Sequence, residues 1–267
     1  MSEPAPSITP TPDLRIVLVG TQHPGNIGAA ARAMKTMGLH HLVLVAPEKA
    51  PNHDTEAMAA GADDLVAAAP VHATLAEAVA DCALVLGCTA RSRRVQLEQL
   101  DPREAAARAL GFAANGPVAL VFGRERTGLD NNELQLCHAA VHIPSDPAFS
   151  SLNLAAAVQV MSYEVRMGLL GAPAPRAAVA ESAPVREQLA PHAELEGFFA
   201  QLAEALDAID FHKGRTPDSA MRKLRRLYLR AALDSAEVRL LRGILADTQR
   251  MAMLAGRGQG TGKPGDA

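Results

Sequence analysis

LRIVLVGTQHPGNIGAAARAMKTMGLHHLVLVAP, residues 14–47, decides the architecture. LRIVLVG (14–20) is a short apolar run ending in glycine, and it reads as a strand buried on both faces. TQHPGN (21–26) is a loop. In IGAAARAMKTMGL (27–39), Ile27, Ala30, Ala31, Met34, Met37 and Gly38 recur at helical spacing. HLVLVAP (41–47) is a second strand. Strand, loop, helix and strand in this order make a βαβ unit, whose two strands lie parallel.

The alternation continues along the chain. TLAEAVADC (74–82) reads as a helix and ALVLGCTAR (83–91) as a strand running into a loop. DPREAAARALGFA (101–113) reads as a helix with Asp101 as N-cap and Pro102 at its first position. PVALVFGRE (117–125) is a strand, DNNELQLCHA (130–139) a short helix, AVHIP (140–144) a strand and SLNLAAAVQVMSYEVRMGLL (151–170) a long helix. The pattern predicts an α/β fold: a mostly parallel sheet with helices on both faces.

Composition shifts at the Pro- and Ala-rich stretch 172–191, which reads as a linker. Beyond it, 194–209, 219–233 and 235–254 have helical patterns, so a small all-α module over 192–254 is expected. The Pro-rich start (1–13) and Gly-rich end (255–267) read as a disordered leader and tail. No apolar run is long enough to span a bilayer, and nothing resembles a secretory signal. Three cysteines without a CxxC pair exclude a disulfide framework, and no ligand spacing suggests zinc. The expected location is the cytoplasm. With 3% aromatics and no Trp, composition speaks against a stacking platform of exposed rings.

Net charge is −3, yet residues 211–250 carry ten basic against four acidic side chains, a local excess of +6. A basic helical segment on an acidic chain reads as a phosphate-binding surface or as a solvated helix face.

Three loops follow strands on the side where open α/β sheets bind ligands. GTQHPGNIGAAARAM (20–34) offers a Gly-rich turn opening a helix, a geometry that holds anions on backbone N–H groups. Its glycine spacing matches neither a dinucleotide fingerprint nor a Walker loop. Asn26 reads as an N-cap or a functional amide, and Arg32 as a solvated or a ligand-facing side chain. VALVFGRERTGLDNNEL (118–134) places Arg124, Glu125 and Arg126 directly after a buried strand. IPSDPAFSSLNLAAAVQV (143–160) delivers Ser150, Ser151 and Asn153 to a helix start, where Ser150 or Ser151 is the expected cap. There is no GxSxG elbow, which speaks against a serine hydrolase. The second strand ends in Ala46-Pro47 and not in an acidic residue, which speaks against a nicotinamide-dependent oxidoreductase.

Taken together, NIGAAARAMKTMGL, VALVFGRERTGLDNNEL and SSLNLAAAVQV resemble the three motifs of the SpoU group of SPOUT RNA methyltransferases. RAMKTMGL, GCTARSR, LDPRE, NELQLCH and SSLNLAAAVQVMSYEVRM narrow the likeness to members acting on cytidine or uridine in tRNA. The resemblance covers about residues 14–170. It implies a domain over 14–171 whose C-terminal part forms a trefoil knot, followed by a tRNA-binding extension. It implies S-adenosyl-L-methionine as cofactor, held by Cys88, Thr89 and Ala90, by Gly123, and by Ile143, Ser150, Ser151 and Leu152. It implies a homodimer with the active site at the interface, and catalytic roles for Arg32, Asn26, Glu125, Ser151 and Asn153. The implied reaction is methyl transfer to a ribose 2′-hydroxyl at position 32 of the tRNA anticodon loop. A guanidinium is almost never a free base, so Arg32 is read as binding the adjacent phosphate and orienting the hydroxyl. Glu125 is read as countering the sulfonium charge or ordering Arg32. An RNA-binding dimer without activity is the non-enzymatic alternative, and it predicts damage at Arg32, Ser151 or Asn153; all three are intact. The dimer is expected to use the apolar stripe Leu154, Ala157, Val158, Met161 and Val165.

Overall fold

The computed structural model describes residues 13–90, 97–146, 148–149, 151–171, 189–214 and 216–259. Ser150, most of the expected linker, nearly all of the expected leader and residues 260–267 of the expected tail lie outside the described residues. The chain forms two compact units, Met1–Glu181 and Ser182–Ala267.

In the first unit the order is β1 (Leu14–Val19), α1 (Pro24–Thr36), β2 (His41–Val45), α2 (His53–Ala59), α3 (Asp63–Ala67), β3 (Val71–His72) and α4 (Leu75–Ala78). Then come β4 (Leu84–Cys88), β5 (Gln99–Leu100), α5 (Pro102–Phe112), β6 (Val118–Phe122), α6 (Asn131–Gln135), β7 (Ala139–Val141) and α7 (Leu154–Gly171). The sheet runs β3-β2-β1-β6-β4-β7-β5, and every pairing is parallel. Its strands alternate between two cores, as the period of two demands. Leu14, Ile16, Leu18, Leu120 and Phe122 meet the helices of one face, α1, α5 and α7 among them. Val17, Val19, Ala119 and Val121 pack with Leu75 and Val79 on the other.

The boundaries correct several expectations. α1 starts at Pro24, since proline is favoured at the first helical position and its missing N–H costs nothing there. Asn26 therefore lies inside the helix and is not its N-cap; His23 is. α5 has the expected cap at Asp101, completed by Glu104 into a reciprocal capping box. α7 begins at Leu154, and the side chain that caps it is Asn153, whose Oδ1 accepts from the Ala155 N–H at 2.9 Å. Ser151 is not the cap.

The elements α2, α3, β3 and β5 have no counterpart in the sequence reading. α2 explains Gly28: a Cβ there would stand 2.0 Å from the Thr55 carbonyl oxygen. This glycine lets two helices touch and has no part in an anion cradle. The Thr55 hydroxyl, buried between them, donates to the Pro24 carbonyl at 3.0 Å.

The expected dimer stripe on α7 is used inside the protomer. Leu154, Val158, Met161 and Val165 are buried, Ala157 packs beside them, and the helix rests on α1 and α5. The opposite face carries a second apolar row, Ala156, Val160, Tyr163, Met167 and Leu170, of which Val160 is half-buried and the others exposed.

The second unit has α8 (His192–Ala208), α9 (Pro217–Ala231) and α10 (Ser235–Gln259). Leu195, Phe198, Phe199, Leu202, Leu229 and Val238 form its core, with Tyr228 edge-on to Phe198. Arg222, Lys223, Arg230, Arg239, Arg242 and Arg250 are exposed. Arg225 departs from the expected basic surface: its guanidinium pairs with Glu196 and lies 4.5 Å from the centre of the Phe199 ring.

Gly28→Ala is expected to force α1 and α2 apart and to destabilise the first unit by about 1–3 kcal/mol. Chemical denaturation of the variant beside the parent measures it.

Candidate active site

The three functional loops converge because β4, β6 and β7 are neighbours or near-neighbours in a parallel sheet and all end on one side. The chain beyond each strand end lines a cavity of about 310 Å³. Cys88, Thr89 and Ala90 come from the first loop, Gly123 to Gly128 from the second, and Ile143, Ser151 and Leu152 from the third, with Leu154 and Ala157 of α7 behind. Every described residue expected to hold the cofactor is on this wall.

Each loop is fixed by hydrogen bonds. The Thr89 N–H donates to the Val141 carbonyl at 2.9 Å, and the His142 imidazole lies 3.3 Å from the Thr89 carbonyl. The second loop folds back on itself, with the Gly128 N–H donating to the Arg124 carbonyl at 2.8 Å. Gly123 is required by that return: a Cβ on it would be 2.2 Å from the carbonyl carbon of Gly128. Arg124 is held by Glu133 at 3.0 Å and is thus structural. Arg126 is exposed at the cavity and makes no hydrogen bond or ion pair with another described residue.

Glu125 is the hub. Its carboxylate accepts from the Asn26 Nδ2 at 2.8 Å, from the Gln22 N–H at 2.9 Å and from the His23 N–H at 3.1 Å. The Gly-rich loop does cradle an anion at a helix start, and the anion is the protein's own. Asn26 passes the order on: its Oδ1 accepts from Asn153 Nδ2 at 3.2 Å. Burial pushes the Glu125 carboxyl up, but the hydrogen bonds from Asn26, from the Gln22 and His23 N–H groups and from its own backbone N–H outweigh it and hold it below the usual carboxylate range.

Of the five expected catalytic residues, Glu125 and Ser151 line the cavity, and Asn26 and Asn153 join it through this chain of amides. Arg32 does not. It is exposed on α1, has no partner among the described residues, and is not touched by Glu125. The sequence reading had this turn holding an anion on backbone N–H groups; that Gln22 and His23 supply two of them, and that the anion is Glu125, it did not give.

A second, open groove of about 830 Å³ adjoins the cavity and shares Ile143, Ser151 and Leu152 with it. Asp101, Arg103, Ser145, Phe149, Asn153 and Glu164 form its other sides.

Because the native Glu125 carboxyl is lowered, it contributes stability that is complete above its unfolded value and lost as pH falls through the native one. Glu125→Gln is expected to be less stable at neutral pH and to lose less on acidification than the parent. Urea midpoints measured from pH 7 downward through the carboxylate range check both signs.

Comparisons with known proteins show the family. The SpoU rRNA Methylase family model matches residues 13–163, and that of the tRNA methyltransferase TrmJ C-terminal domain matches 193–257. The chain is 52% identical over 243 residues to the tRNA (cytidine/uridine/adenosine-2′-O-)-methyltransferase TrmJ of Pseudomonas aeruginosa (strain UCBPP-PA14), covering 90% of this chain and 95% of that protein. It is 48% identical over 241 residues to the tRNA (cytidine/uridine-2′-O-)-methyltransferase TrmJ of Escherichia coli (strain K12), covering 89% and 96%. The crystal structure of TrmJ from Z. mobilis ZM4 superposes with a TM-score of 0.73 at 36% identity, covering 87% of this chain and 97% of that one. With motifs, sheet and cavity in these positions, the chain belongs to the SpoU methylase family and, within it, to the TrmJ tRNA 2′-O-methyltransferases.

Proposed function

We propose that the protein methylates the ribose 2′-hydroxyl of cytidine or uridine at position 32 of the tRNA anticodon loop, using S-adenosyl-L-methionine. The observation that carries the reading is the cavity at the ends of β4, β6 and β7. Its size lies at the lower end of the range for small-molecule sites. Leu152, Leu154, Ala157 and Ile143 supply apolar walls for a flat base, while the Thr89 and Ser151 hydroxyls and the loop backbone supply hydrogen-bonding edges. These residues fit the cofactor that the family resemblance implies. The relative from Pseudomonas aeruginosa is also named for adenosine, so the choice of base is part of the test.

When bound, the cofactor supplies an electrophilic methyl on a sulfonium that leaves as a neutral thioether. Glu125 provides the fixed negative charge nearest that site, and its oxygens are already taken by three donors. That makes it a poor proton acceptor and a good positioning group. Asn26 has both ends of its amide engaged, so it too positions and does not react. Ser151 stands where the cavity meets the groove and is suited to hold the ribose in line.

We place Arg32 in the site of a second protomer. Alone, α1 leaves it in solvent, and the exposed Tyr163, Met167 and Leu170 of α7 are the surface that a second copy would cover. Its guanidinium would bind the phosphate beside the target and orient the hydroxyl. The knot is proposed on the sheet order: β7 enters between β4 and β5, strands that precede it in sequence and are joined to each other by residues 89–98. Residues 14–171 are taken as the catalytic domain, 172–191 as the linker and 192–254 as the tRNA-binding extension. The proposed location is the cytoplasm, with the tRNA. Among the described residues no helix is long and apolar enough to cross a membrane.

Methylation of unmodified total tRNA, followed by mass spectrometry, is expected to place the 2′-O-methyl group at nucleotide 32 of the anticodon loop. Its absence would refute the reading.

Met167→Glu combined with Leu170→Glu is expected to give a 28.0 kDa monomer by light scattering, without transfer activity. Arg32→Ala alone should bind the cofactor and transfer nothing. Mixed with Ser151→Ala after subunit exchange, it should recover about a quarter of the parent activity, since half the dimers then hold one intact site.

Removing residues from 176 onward is expected to leave cofactor binding intact and to weaken tRNA affinity. The log–log salt slope should flatten by roughly 0.7 to 0.9 for each phosphate that the shortened chain no longer neutralises. Affinity titrations at several salt concentrations read this out.

A further inference from the structure

Phe149 has no role in the methyl-transfer cavity itself. It is 83% exposed, the highest value among the exposed large apolar side chains. Single exposed apolar residues are common, but this one stands in the wall of the groove that shares Ile143, Ser151 and Leu152 with the cavity. Its position is held by a turn. Asp146 Oδ1 accepts from the Ala148 N–H at 2.8 Å, and the Asp146 carbonyl accepts from the Phe149 N–H at 3.0 Å. The turn ties down the backbone that carries an aromatic ring in water beside Ser151.

Around the ring the groove mixes both kinds of group: Asp101, Arg103, Ser145, Asn153 and Glu164 offer donors and acceptors, while Ile143, Leu152, Ala156 and Val160 give it an apolar floor. A flat apolar face bordered by such groups suits an unstacked nucleobase, which presents a π-face and hydrogen-bonding edges together. Since cavity and groove share Ile143, Ser151 and Leu152, a ribose whose 2′-hydroxyl entered the cavity would leave its base, or that of the next nucleotide, to the groove.

We propose that Phe149 is the stacking platform for a base of the substrate RNA, either the target base or its immediate neighbour. This rests on the proposed function and names where that substrate is gripped. The low aromatic content does not oppose it, because one ring serves one base.

The test is a substitution series at one position, Phe149→Ala, Phe149→Leu, Phe149→Tyr and Phe149→Trp, in the full chain. For Ala and Leu, kcat/KM on tRNA is expected to fall about 10- to 100-fold. Tyr and Trp should stay within about threefold of the parent, since stacking needs an aromatic face and not merely apolar bulk. Calorimetry should show unchanged affinity for S-adenosyl-L-methionine in all four, and light scattering an unchanged mass. Parent-like kinetics for Ala and Leu would overturn the proposal. So would equal rescue by Leu, which marks plain apolar packing, or a change of oligomeric state in the Ala variant, which marks a contact between copies. If the parent itself methylates no tRNA, the proposed function has failed, a result distinct from any of these.

Discussion

The carboxylate of Glu125 joins two loops whose contacting residues are 103 positions apart in sequence. One follows β1 and opens α1; the other follows β6. Neither loop carries the geometry alone. The N–H groups of Gln22 and His23 need an acceptor, and a half-buried carboxylate needs donors. Each supplies what the other lacks, and Asn26 extends the bond to Asn153 at the head of α7. Three elements that begin at separate strand ends are thus locked to one another. The cavity wall inherits that order, so the groups lining it are held in place relative to one another.

Some of this was legible in the residues. The strands were, because apolar runs bounded by turn residues have few other readings. The cap of α5 was, because Asp101, Pro102 and Glu104 are local to one another. The role of Asn26 was not. An asparagine near a helix start looks like a cap, and only the position of Glu125 shows that it is a linker. The two-residue strands β3 and β5 and the short helices α2 and α3 carry too little apolar periodicity to stand out. The helix α7 misled for the opposite reason. Both its faces are apolar, so a helical repeat finds a stripe on either side and cannot say which one meets the sheet. The three motifs of the resemblance were visible because they keep their residues together in sequence.

The two units divide charge as well as structure. The residues up to 171 hold twelve basic and seventeen acidic side chains, while the segment 211–250 is basic. Many cations of the first unit are already neutralised: Arg15 by Asp13 and Asp81, Lys35 by Asp64, Arg108 by Glu98, Arg124 by Glu133. An acidic body with several of its cations paired attracts a polyanion weakly at long range. The helical unit, with six exposed basic residues on α9 and α10, supplies the opposite field. Under the proposed function, such a division would separate capture of the tRNA from alignment at the reacting centre.

The order of strands also governs how this chain comes off the ribosome. β6 lies between β1 and β4, and β7 lies between β4 and β5. Until residues 118–141 have emerged, the sheet is a three-stranded fragment, β3-β2-β1, with β4 and β5 paired to nothing in their final places. The edges of β1 and β4 stay open during that interval, each a template for wrong pairing. β6 and β7, which join β1 to β4 and β4 to β5, are the last strands to be made, so no N-terminal fragment holds the complete sheet. Closure waits on contacts distant in sequence, which makes this a slow-folding topology and ties its survival during synthesis to how quickly the last strands follow the first.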